Sequence, residues 1–379
     1  MRVAIPDGYP APFCFDLGQR DTHMERVKFV RGSGVVPWLD AVTFASGAGF
    51  DLLHTLNAVP IRSATPYVVT FESYLPRVPD DRPLPGLERW LMGKLLAPQC
   101  RAVIAFSEFA MRQLKLQVAR NPGSEALLDK AEVLYPAAPL RAQSPKAPPS
   151  DALRLLFVGR DFARKGGPAL VRAHEALVAR GVPVQTTVVS SLGWQRKGVV
   201  GPSSSEVMAA EHARLASCGI EHLTTCPNDE VLQRMAEADF LVLPTVNDTF
   251  GFVTLEAMSL GTPVIGTSTY ALPEIVEHGV DGFLLDVPND PDVGRWTGLG
   301  HRTSPGYDGL YLALMDDLGR QMADRLEQFW AGRGSYEAMS AAALAKMRER
   351  FDPTAARDRL EQVYLLGDQG SGIGSRKAS

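Results

Sequence analysis

The chain has 379 residues, of which 45% are hydrophobic and 22% charged, and its 39 basic and 43 acidic side chains give a formal net charge of −4. This length predicts about two domains, each large enough to bury its own core. The near-neutral charge gives no reason to expect a nucleic acid partner. Four scattered cysteines form no CxxC or Cys/His metal spacing and are expected to be reduced core thiols.

Short apolar runs predict a Rossmann-like N-terminal domain over residues 1–145. They lie at Val3–Ile5, Asp51–His54, Pro66–Phe71 and Ala102–Phe106. No run approaches the roughly 20 apolar residues that cross a bilayer. The first ten residues lack the basic and apolar regions of a signal peptide, so a cytoplasmic location is expected.

The proline-rich stretch Pro139–Asp151 predicts an interdomain linker. Beyond it, strand-like and helix-like segments alternate, which predicts βαβ units, a parallel sheet and a second Rossmann-like domain over 151–350. The predicted strands are Leu153–Gly159, Val182–Ser190, Phe240–Pro244 and Thr262–Gly266, and the predicted helices are Pro168–Arg180, Asn228–Ala238, Gly251–Leu260, Leu310–Trp330 and Tyr336–Phe351.

The C-terminal residues divide into two parts. Residues 351–366 predict a docking helix, and the Gly/Ser-rich residues 367–379 predict a disordered tail.

Two carboxylates surround the strand-to-helix turn in Pro244–Gly266. Asp248 precedes the turn, and Glu256 lies in the second turn of the predicted helix. A helix N-terminus attracts anions, by about 0.3–1 kcal/mol at an exposed position. Helix side chains lean toward the N-terminus, so Glu256 can reach the same mouth. A site that binds a phosphate beside two carboxylates, which accept hydrogen bonds from hydroxyl groups, suggests a nucleotide sugar as ligand. Asp248 also suits a purely capping role.

Arg160 and Lys165 lie in the loop that follows the first strand of the second half. Ligands of open parallel sheets bind at the carboxyl ends of the strands. Two cations there suit a diphosphate, although a solvated basic turn explains them equally well. If both loops leave the same sheet edge, these cations share a mouth with Asp248 and Glu256.

The segments FVGRDFARKGG (157–167) and DTFGFVTLEAMSLGTPVIG (248–266) together resemble the donor half of retaining glycosyltransferases of family 4. The resemblance extends over residues 153–286 and, less fully, to 102–114. It implies a GT-B fold, in which two Rossmann-like domains face each other across a cleft and the C-terminal helix crosses back to the first domain.

The resemblance also implies roles for individual residues. Arg160 and Lys165 would bind the donor diphosphate, Glu256 the ribose hydroxyls and Asp248 the donor sugar. Asp248 stands where the family commonly has glutamate. The backbone amides of Phe250, Gly251 and Phe252 would line the sugar and phosphate site.

Glu72 stands where the family has a histidine near the reacting centre, at the end of the run Pro66–Phe71. A carboxylate there could accept a proton, orient the donor sugar or attack the anomeric carbon, or could be an ordinary polar loop residue. We expect Glu72 to face the donor, and we count Glu72, Asp248, Arg160 and Lys165 as the catalytic candidates.

His54 and Asn57 are the candidate acceptor contacts, because they follow an apolar run at the same expected edge, although a structural role for His54 remains open. The other histidines show no paired spacing. We therefore expect no metal and no cofactor other than the nucleoside diphosphate sugar co-substrate.

The predicted function is sugar transfer, with retention of anomeric configuration, from a nucleoside diphosphate sugar to a hydroxyl of a glycan, lipid or small molecule. The alternative is a non-catalytic nucleotide-binding scaffold in a glycosylation complex, which the departures at Glu72 and Asp248 favour. Between Arg77 and Arg120, eight basic side chains stand against four acidic ones. This excess indicates a solvated face or weak contact with an anionic membrane surface or acidic acceptor, which makes peripheral attachment at the inner membrane a second expectation.

Overall fold

The computed structural model describes residues 1–8, 11–34, 39–45, 47–61, 63–78, 84–194, 200–298 and 302–366. The predicted disordered tail, 367–379, lies outside these residues. The chain forms two compact units: unit 1 contains Met1–Ala137 and the chain from Asp352 onward, and unit 2 contains Ala138–Phe351.

Unit 1 is built on a six-stranded sheet with parallel neighbours, in the order β2-β1-β5-β7-β8-β9, and on a small sheet in the order β3-β4-β6. The strands are β1 (Arg2–Pro6), β2 (His23–Val27), β3 (Val30–Arg31), β4 (Val42–Phe44), β5 (Leu52–Leu56), β6 (Val59–Ile61), β7 (Tyr67–Phe71), β8 (Cys100–Ala105) and β9 (Ala131–Val133). The helices are α1 (Ala11–Cys14), α2 (Pro85–Leu96), α3 (Glu108–Arg120) and the C-terminal α11 (Pro353–Leu366).

Helix α11 belongs to unit 1 because its buried face contacts the sheet and the segment before β2. Tyr364 is fully buried, and its hydroxyl lies 2.6 Å from His54 Nδ1 on β5. The Glu361 carboxylate accepts hydrogen bonds from the backbone N–H groups of Arg20 and Asp21, at 2.5 and 3.0 Å. The two hydrogen bonds of Glu361 hold a segment that lies 340–341 residues away in sequence.

Unit 2 has a six-stranded, all-parallel sheet in the order β12-β11-β10-β13-β14-β15. The strands are β10 (Leu153–Val158), β11 (Val184–Val189), β12 (Glu221–Leu223), β13 (Phe240–Val242), β14 (Val264–Thr267) and β15 (Gly282–Leu285). The helices are α4 (Gly167–Ala179), α5 (Ser205–Ser217), α6 (Asn228–Glu237), α7 (Phe252–Ser259), α8 (Leu272–Ile275), α9 (Tyr307–Ala331) and α10 (Tyr336–Arg350).

Helices α4 and α9 pack closely in unit 2. A Cβ on Gly319 of α9 would lie 2.6 Å from Arg172 Cβ of α4, so the lack of a side chain permits the contact. The Arg172 guanidinium then binds Glu211 of α5 and Asp316 of α9. A largely buried arginine with two carboxylate partners therefore ties three helices together.

The predicted linker is docked on unit 2 over much of its length. The N–H groups of Arg141 and Ala142 both donate to Ser259 O at 2.9 Å. Lys146 Nζ donates to Met235 O, Ala238 O and Thr262 Oγ1 at 2.6–2.9 Å, and burial lowers the pKa of this amine to about 8. Proline prevents a helix here but leaves an extended chain able to hydrogen-bond to its neighbours.

Among the described residues, no helix is both long enough and apolar enough to cross a membrane.

Candidate functional site

The candidate donor site lies at the carboxyl edge of the unit 2 sheet, where β10 and β13 are adjacent. Leu155 pairs with Phe240 and Leu156 with Leu241, so the loops after these two strands leave from neighbouring positions. The sheet therefore brings the Arg160 and Asp248 loops together across 88 residues of sequence.

The backbone of Arg160 is fixed while its side chain is exposed. Arg160 O accepts a hydrogen bond from Gly193 N at 2.8 Å, and the Ser191 hydroxyl approaches the same oxygen at 3.2 Å. Within the part of the chain that the structure describes, the guanidinium has no ion-pair partner. This arrangement presents an uncommitted cation at the edge of the sheet.

Gly166 allows the two loops to touch. It has φ +81°, and a Cβ at this position would lie 1.9 Å from Pro244 O, so only glycine fits. Two further bonds join the loops: Thr245 Oγ1 donates to Arg164 O at 3.1 Å, and Arg164 Nη1 donates to Asn247 O at 2.5 Å. The loops therefore form one structure, and the positions of the Lys165 and Asp248 backbones are coupled.

Lys165 Nζ forms an ion pair with Asp248 Oδ2. The two side chains are only 17% and 13% exposed, which limits screening by water. Lys165, which was predicted to contact the diphosphate, is therefore paired with Asp248, which was predicted to contact the sugar. Sequence reasoning placed both residues at one mouth but gave no signal for this pairing, because 83 residues separate them.

Helix α7 begins beside this ion pair. Gly251 precedes the helix with φ +85°, and the Thr254 hydroxyl donates back to Gly251 O at 2.6 Å. Phe250 is buried, and its ring lies 5.2 Å from that of Phe252, which fixes the turn. The positive end of the α7 dipole thus faces the carboxyl edge.

Glu256 lies half-buried in the second turn of α7. Burial raises the pKa of its carboxyl, and the opposing charge of Arg141 partly offsets this effect. No described residue donates a hydrogen bond to its side chain. A half-buried carboxylate without a donor suits a ligand that brings hydroxyl groups.

In unit 1, Glu72 directly follows β7. Its N–H donates to Asn57 Oδ1 at 3.0 Å, and its Oε2 lies 3.3 Å from Arg77 Nη2. Asn57 has φ +60° and is 3% exposed. The Asn57 amide oxygen thus supports the turn at Glu72. That Asn57 contacts the acceptor stays a prediction.

His54 does not lie at a strand end, as we had expected. Strand β5 continues to Leu56, and the buried imidazole contacts Tyr364 OH through Nδ1 and Thr70 Oγ1 through Nε2, each at 2.6 Å. Burial lowers the pKa of His54 to about 3, so the ring is neutral. Within this structure His54 is a core residue of unit 1.

Two cavities are present that the sequence did not predict. A cavity of about 280 Å³ lies at the carboxyl edge of the unit 1 sheet and is bordered by Asp7, Lys28 and Arg31. A larger groove of about 660 Å³ lies between β15 and α9, and no residue of the Arg160 and Asp248 loops is among those that line it. We place the candidate donor site at those loops because the chemistry of their side chains suits a charged ligand, whereas the size of a groove does not indicate what binds there. Among the described residues no cluster of three His, Cys, Asp or Glu side chains is arranged to hold a metal ion.

Comparison with known protein families identifies the segment that carries this site. Residues 152–293 match the family described as Glycosyl transferases group 1. D-inositol 3-phosphate glycosyltransferase from Corynebacterium jeikeium is 32% identical over 202 residues, which cover 53% of this chain and 44% of the relative. The enzyme of the same name from Thermobispora bispora is 32% identical over 247 residues, covering 64% and 49%. The chain thus spans less than half the length of these two relatives.

Solved structures extend the likeness in fold to most of the chain. Sucrose-phosphate synthase from Thermosynechococcus elongatus has a TM-score of 0.57 at 16% identity, covering 85% of this chain and 75% of its own. Anabaena Alr3699/HepE in complex with UDP has a TM-score of 0.55 at 17% identity, covering 84% and 80%. The chain therefore has the fold of the GT-B glycosyltransferases and contains a glycosyl transferases group 1 domain.

Proposed function

We propose that the protein transfers a sugar from a nucleoside diphosphate sugar to an acceptor hydroxyl, with retention of anomeric configuration. One observation carries the proposal: exposed Arg160, the Lys165–Asp248 pair and the N-terminus of α7 meet at the carboxyl edge of unit 2, inside the segment that matches the family. UDP sugars are the first donors to test, because solved neighbours bind UDP or UDP-glucose.

In this proposal, the departing phosphate meets cations and a helix terminus. Negative charge develops on the β-phosphate as the bond to the anomeric carbon breaks. Arg160 has no ion-pair partner among the described residues and can approach that charge directly. Lys165 is held at the site by Asp248 and passes to the phosphate when the donor binds, which leaves Asp248 to accept a hydroxyl of the sugar. Preorganised donors of this kind typically contribute about 2.7–4 kcal/mol each to lowering the barrier.

Glu256 is proposed to accept hydrogen bonds from the ribose hydroxyls. Burial desolvates its carboxylate and raises the pKa of that group, and hydrogen bonds donated by hydroxyl groups would offset the desolvation. Nucleotide binding is therefore favoured by the Glu256 carboxylate, which accepts no hydrogen bond from any described residue.

Glu72 remains our proposed contact to the reacting centre. Its ion pair with Arg77 gives it a structural role as well, so the test must separate the two. Glu72→Gln keeps the side-chain shape. A rate loss at saturating substrates with unchanged unfolding free energy supports a catalytic role, whereas full activity in this variant refutes it.

The central experiment combines donor binding with transfer. Thermal-shift measurements with UDP, GDP, ADP and their sugars identify the donor, since a ligand at 100 times its Kd stabilises by about 2.7 kcal/mol. Arg160→Ala should lose that shift, while the control Arg180→Ala, which removes an ion-paired arginine at the far end of α4, should keep it. Donor binding without transfer to any acceptor, or hydrolysis of the donor, would favour the scaffold alternative.

Two further expectations belong to the proposal. The reaction needs no divalent ion, because arginine, lysine and a helix terminus provide the positive charge; activity abolished by chelator and restored by Mg²⁺ or Mn²⁺ would contradict this. Weak contact of the basic segment 77–120 with anionic membranes also remains a proposal, to be tested by sedimentation with phosphatidylglycerol vesicles.

A further inference from the structure

Tyr311 of α9 makes a hydrogen bond to the loop that carries Arg160 and Lys165. Its side chain is fully buried, and its hydroxyl donates to Ala163 O at 2.9 Å across 148 residues of sequence. Burial raises the pKa of the Tyr311 phenol well above its ordinary value, so the hydroxyl keeps its proton and remains a donor. Tyr311 lies outside residues 152–293, the segment that matches the family, so that match assigns it no role.

The accepting carbonyl belongs to a tight turn that ends at the glycine after Lys165. Ala163 O also accepts a hydrogen bond from Gly166 N at 3.1 Å, and Lys165 N donates to Asp161 O at the same distance. These two bonds restrict the backbone of Lys165, which lies between Ala163 and Gly166 in sequence. The Tyr311 hydroxyl therefore holds, from a separate helix, the turn that positions the Lys165 side chain.

Helix α9 is anchored on both sides of Tyr311, so it can serve as a fixed support. Near its start, the Asp308 carboxylate accepts hydrogen bonds from the N–H groups of Ser203 and Ser204 at 2.5 and 3.1 Å. About two turns beyond Tyr311, α9 packs closely on α4 at Gly319, where an added Cβ would lie 2.6 Å from an α4 side chain. Side chains that are locked by packing in this way can hold the groups that contact a ligand in place.

A buried phenol usually finds a hydrogen-bond partner wherever it lies, and Tyr336 illustrates the purely structural case. Tyr336 is also fully buried in unit 2, and its hydroxyl donates to Asp239 O at 2.8 Å. Asp239 directly precedes β13, at the end of the strand opposite to the Asp248 loop. The two tyrosines thus make the same kind of bond, but that of Tyr311 lies at the carboxyl edge of the sheet and that of Tyr336 at the amino edge.

We propose that Tyr311 is a positioning residue for Lys165 in the binding of the donor diphosphate. The hydroxyl bonds to Ala163 O, this bond holds the turn, and the turn places the Lys165 amine beside Asp248. Without the hydroxyl, Ala163 O keeps its bond from Gly166 N, so the turn should still form but with greater freedom. Misplacement of a contact group by about 1 Å can cost about 100-fold in rate. This inference rests on the proposed function, which supplies the diphosphate that Lys165 is to meet.

The test is calorimetric titration of the full chain with nucleoside diphosphates. The wild type is titrated with UDP, GDP and ADP, and the one that binds most tightly is used throughout. Tyr311→Phe removes the hydroxyl and keeps the ring, and we expect its Kd to rise at least fivefold. Tyr336→Phe is the matched control: urea unfolding should show a similar loss of stability, but its Kd should change less than twofold. In the Lys165→Met background, Tyr311→Phe should change the Kd less than twofold, because the side chain that it positions is already absent.

Four results would contradict the inference. Equal Kd values for the wild type and Tyr311→Phe would overturn it and leave the transferase proposal intact. An equal rise in Tyr336→Phe, or an undiminished effect of Tyr311→Phe in the Lys165→Met background, would show that the hydroxyl acts through the stability of unit 2 as a whole. A Tyr311→Phe chain that does not unfold cooperatively in urea would make the bond a requirement for folding instead of a positioning contact. If the wild type binds none of the three nucleotides, the proposed function fails, and this inference fails with it.

Discussion

The ion pair between Lys165 and Asp248 makes opposite predictions for stability and for nucleotide affinity. Replacing Asp248 by asparagine keeps the shape of the side chain and removes its charge, so Lys165 is left without its partner. Exposed pairs contribute about 0–1 kcal/mol, whereas removing one partner of a buried pair costs about 3–5 kcal/mol. With 17% and 13% exposure the pair lies between these limits, and we expect Asp248→Asn to lower the unfolding free energy by about 2 kcal/mol.

UDP should bind this variant more tightly than it binds the wild type. In our mechanism the diphosphate takes Lys165 away from Asp248, so binding to the wild type must first break the ion pair. Binding to Asp248→Asn avoids that step and restores a partner to Lys165. A gain of about 1.4 kcal/mol corresponds to tenfold tighter binding. Transfer should nevertheless slow, because the variant loses the proposed contact between Asp248 and the donor sugar. UDP has no sugar at that position, so its affinity does not report this loss.

Urea unfolding and UDP titration of four proteins test this reasoning: wild type, Asp248→Asn, Lys165→Met and the double variant. The coupling energy of the cycle gives the strength of the pair. Lys165→Met should weaken UDP binding in either background. If Asp248→Asn weakens UDP binding as much as Lys165→Met does, Asp248 preorganises Lys165 for phosphate and the competition that we describe is wrong.

Three other predictions follow from single contacts. Arg160→Ala should lower kcat/KM by about 100- to 1000-fold, the loss typical of one preorganised donor, with little change in urea stability because the side chain is exposed; steady-state kinetics beside Arg180→Ala measure this. Tyr364→Phe should destabilise unit 1 by about 1–3 kcal/mol, because His54 Nδ1 loses its partner in a fully buried site; urea unfolding beside Tyr336→Phe, the corresponding buried change in unit 2, reports whether the loss is confined to unit 1. Gly166→Ala should abolish folding of the donor loops or reduce UDP affinity at least tenfold, since its Cβ would collide with Pro244 O. Thermal shift with and without UDP measures both effects, and Gly181→Ala is the control because no atom lies within 4 Å of its added Cβ.

Much of unit 2 could be predicted because its signals are local. Strong apolar runs between helices predicted β10, β13 and β14 to within two residues, and Gly261 marked the end of α7. The strands at the edges of the sheets were not predicted, because their local sequence signals are weak. β2 reads HMERV and contains no buried residue, without either an apolar run or a clear alternation, so tertiary pairing with β1 rather than local sequence makes it a strand.

The side-chain partnerships of the site could not be predicted from sequence. Arg160, Lys165 and Asp248 were placed at one edge because parallel strands share a carboxyl edge, but the pairing of Lys165 with Asp248 depends on Gly166 approaching Pro244. His54 was placed at a strand end because the apolar run stops there, whereas pairing with β7 extends the strand to Leu56. The order of strands and loops along the chain therefore predicted which sheet edge holds these residues, whereas packing determines which of their side chains remain available to a ligand.

Glu256 and Asp248 are both carboxylates of the proposed donor site, but only Glu256 lacks a described partner, and this difference predicts a proton linkage. Burial raises the pKa of Glu256 above the ordinary value of 4.5. In the pH window between 4.5 and the raised pKa, the folded protein therefore binds more protons than the unfolded chain. Its contribution to stability is therefore present at low pH and is lost as pH rises through the raised pKa. Ribose hydroxyls that donate to the carboxylate should lower the same pKa, so UDP binding should release protons in the window and tighten as pH rises through it. Calorimetry in two buffers of different ionisation enthalpy measures the release, and Glu256→Gln should lower it, leaving only the proton lost by the terminal phosphate of UDP. Proton release as large in Glu256→Gln as in the wild type, or UDP affinity that falls as pH rises from 4.5, would show that Glu256 does not bind the nucleotide.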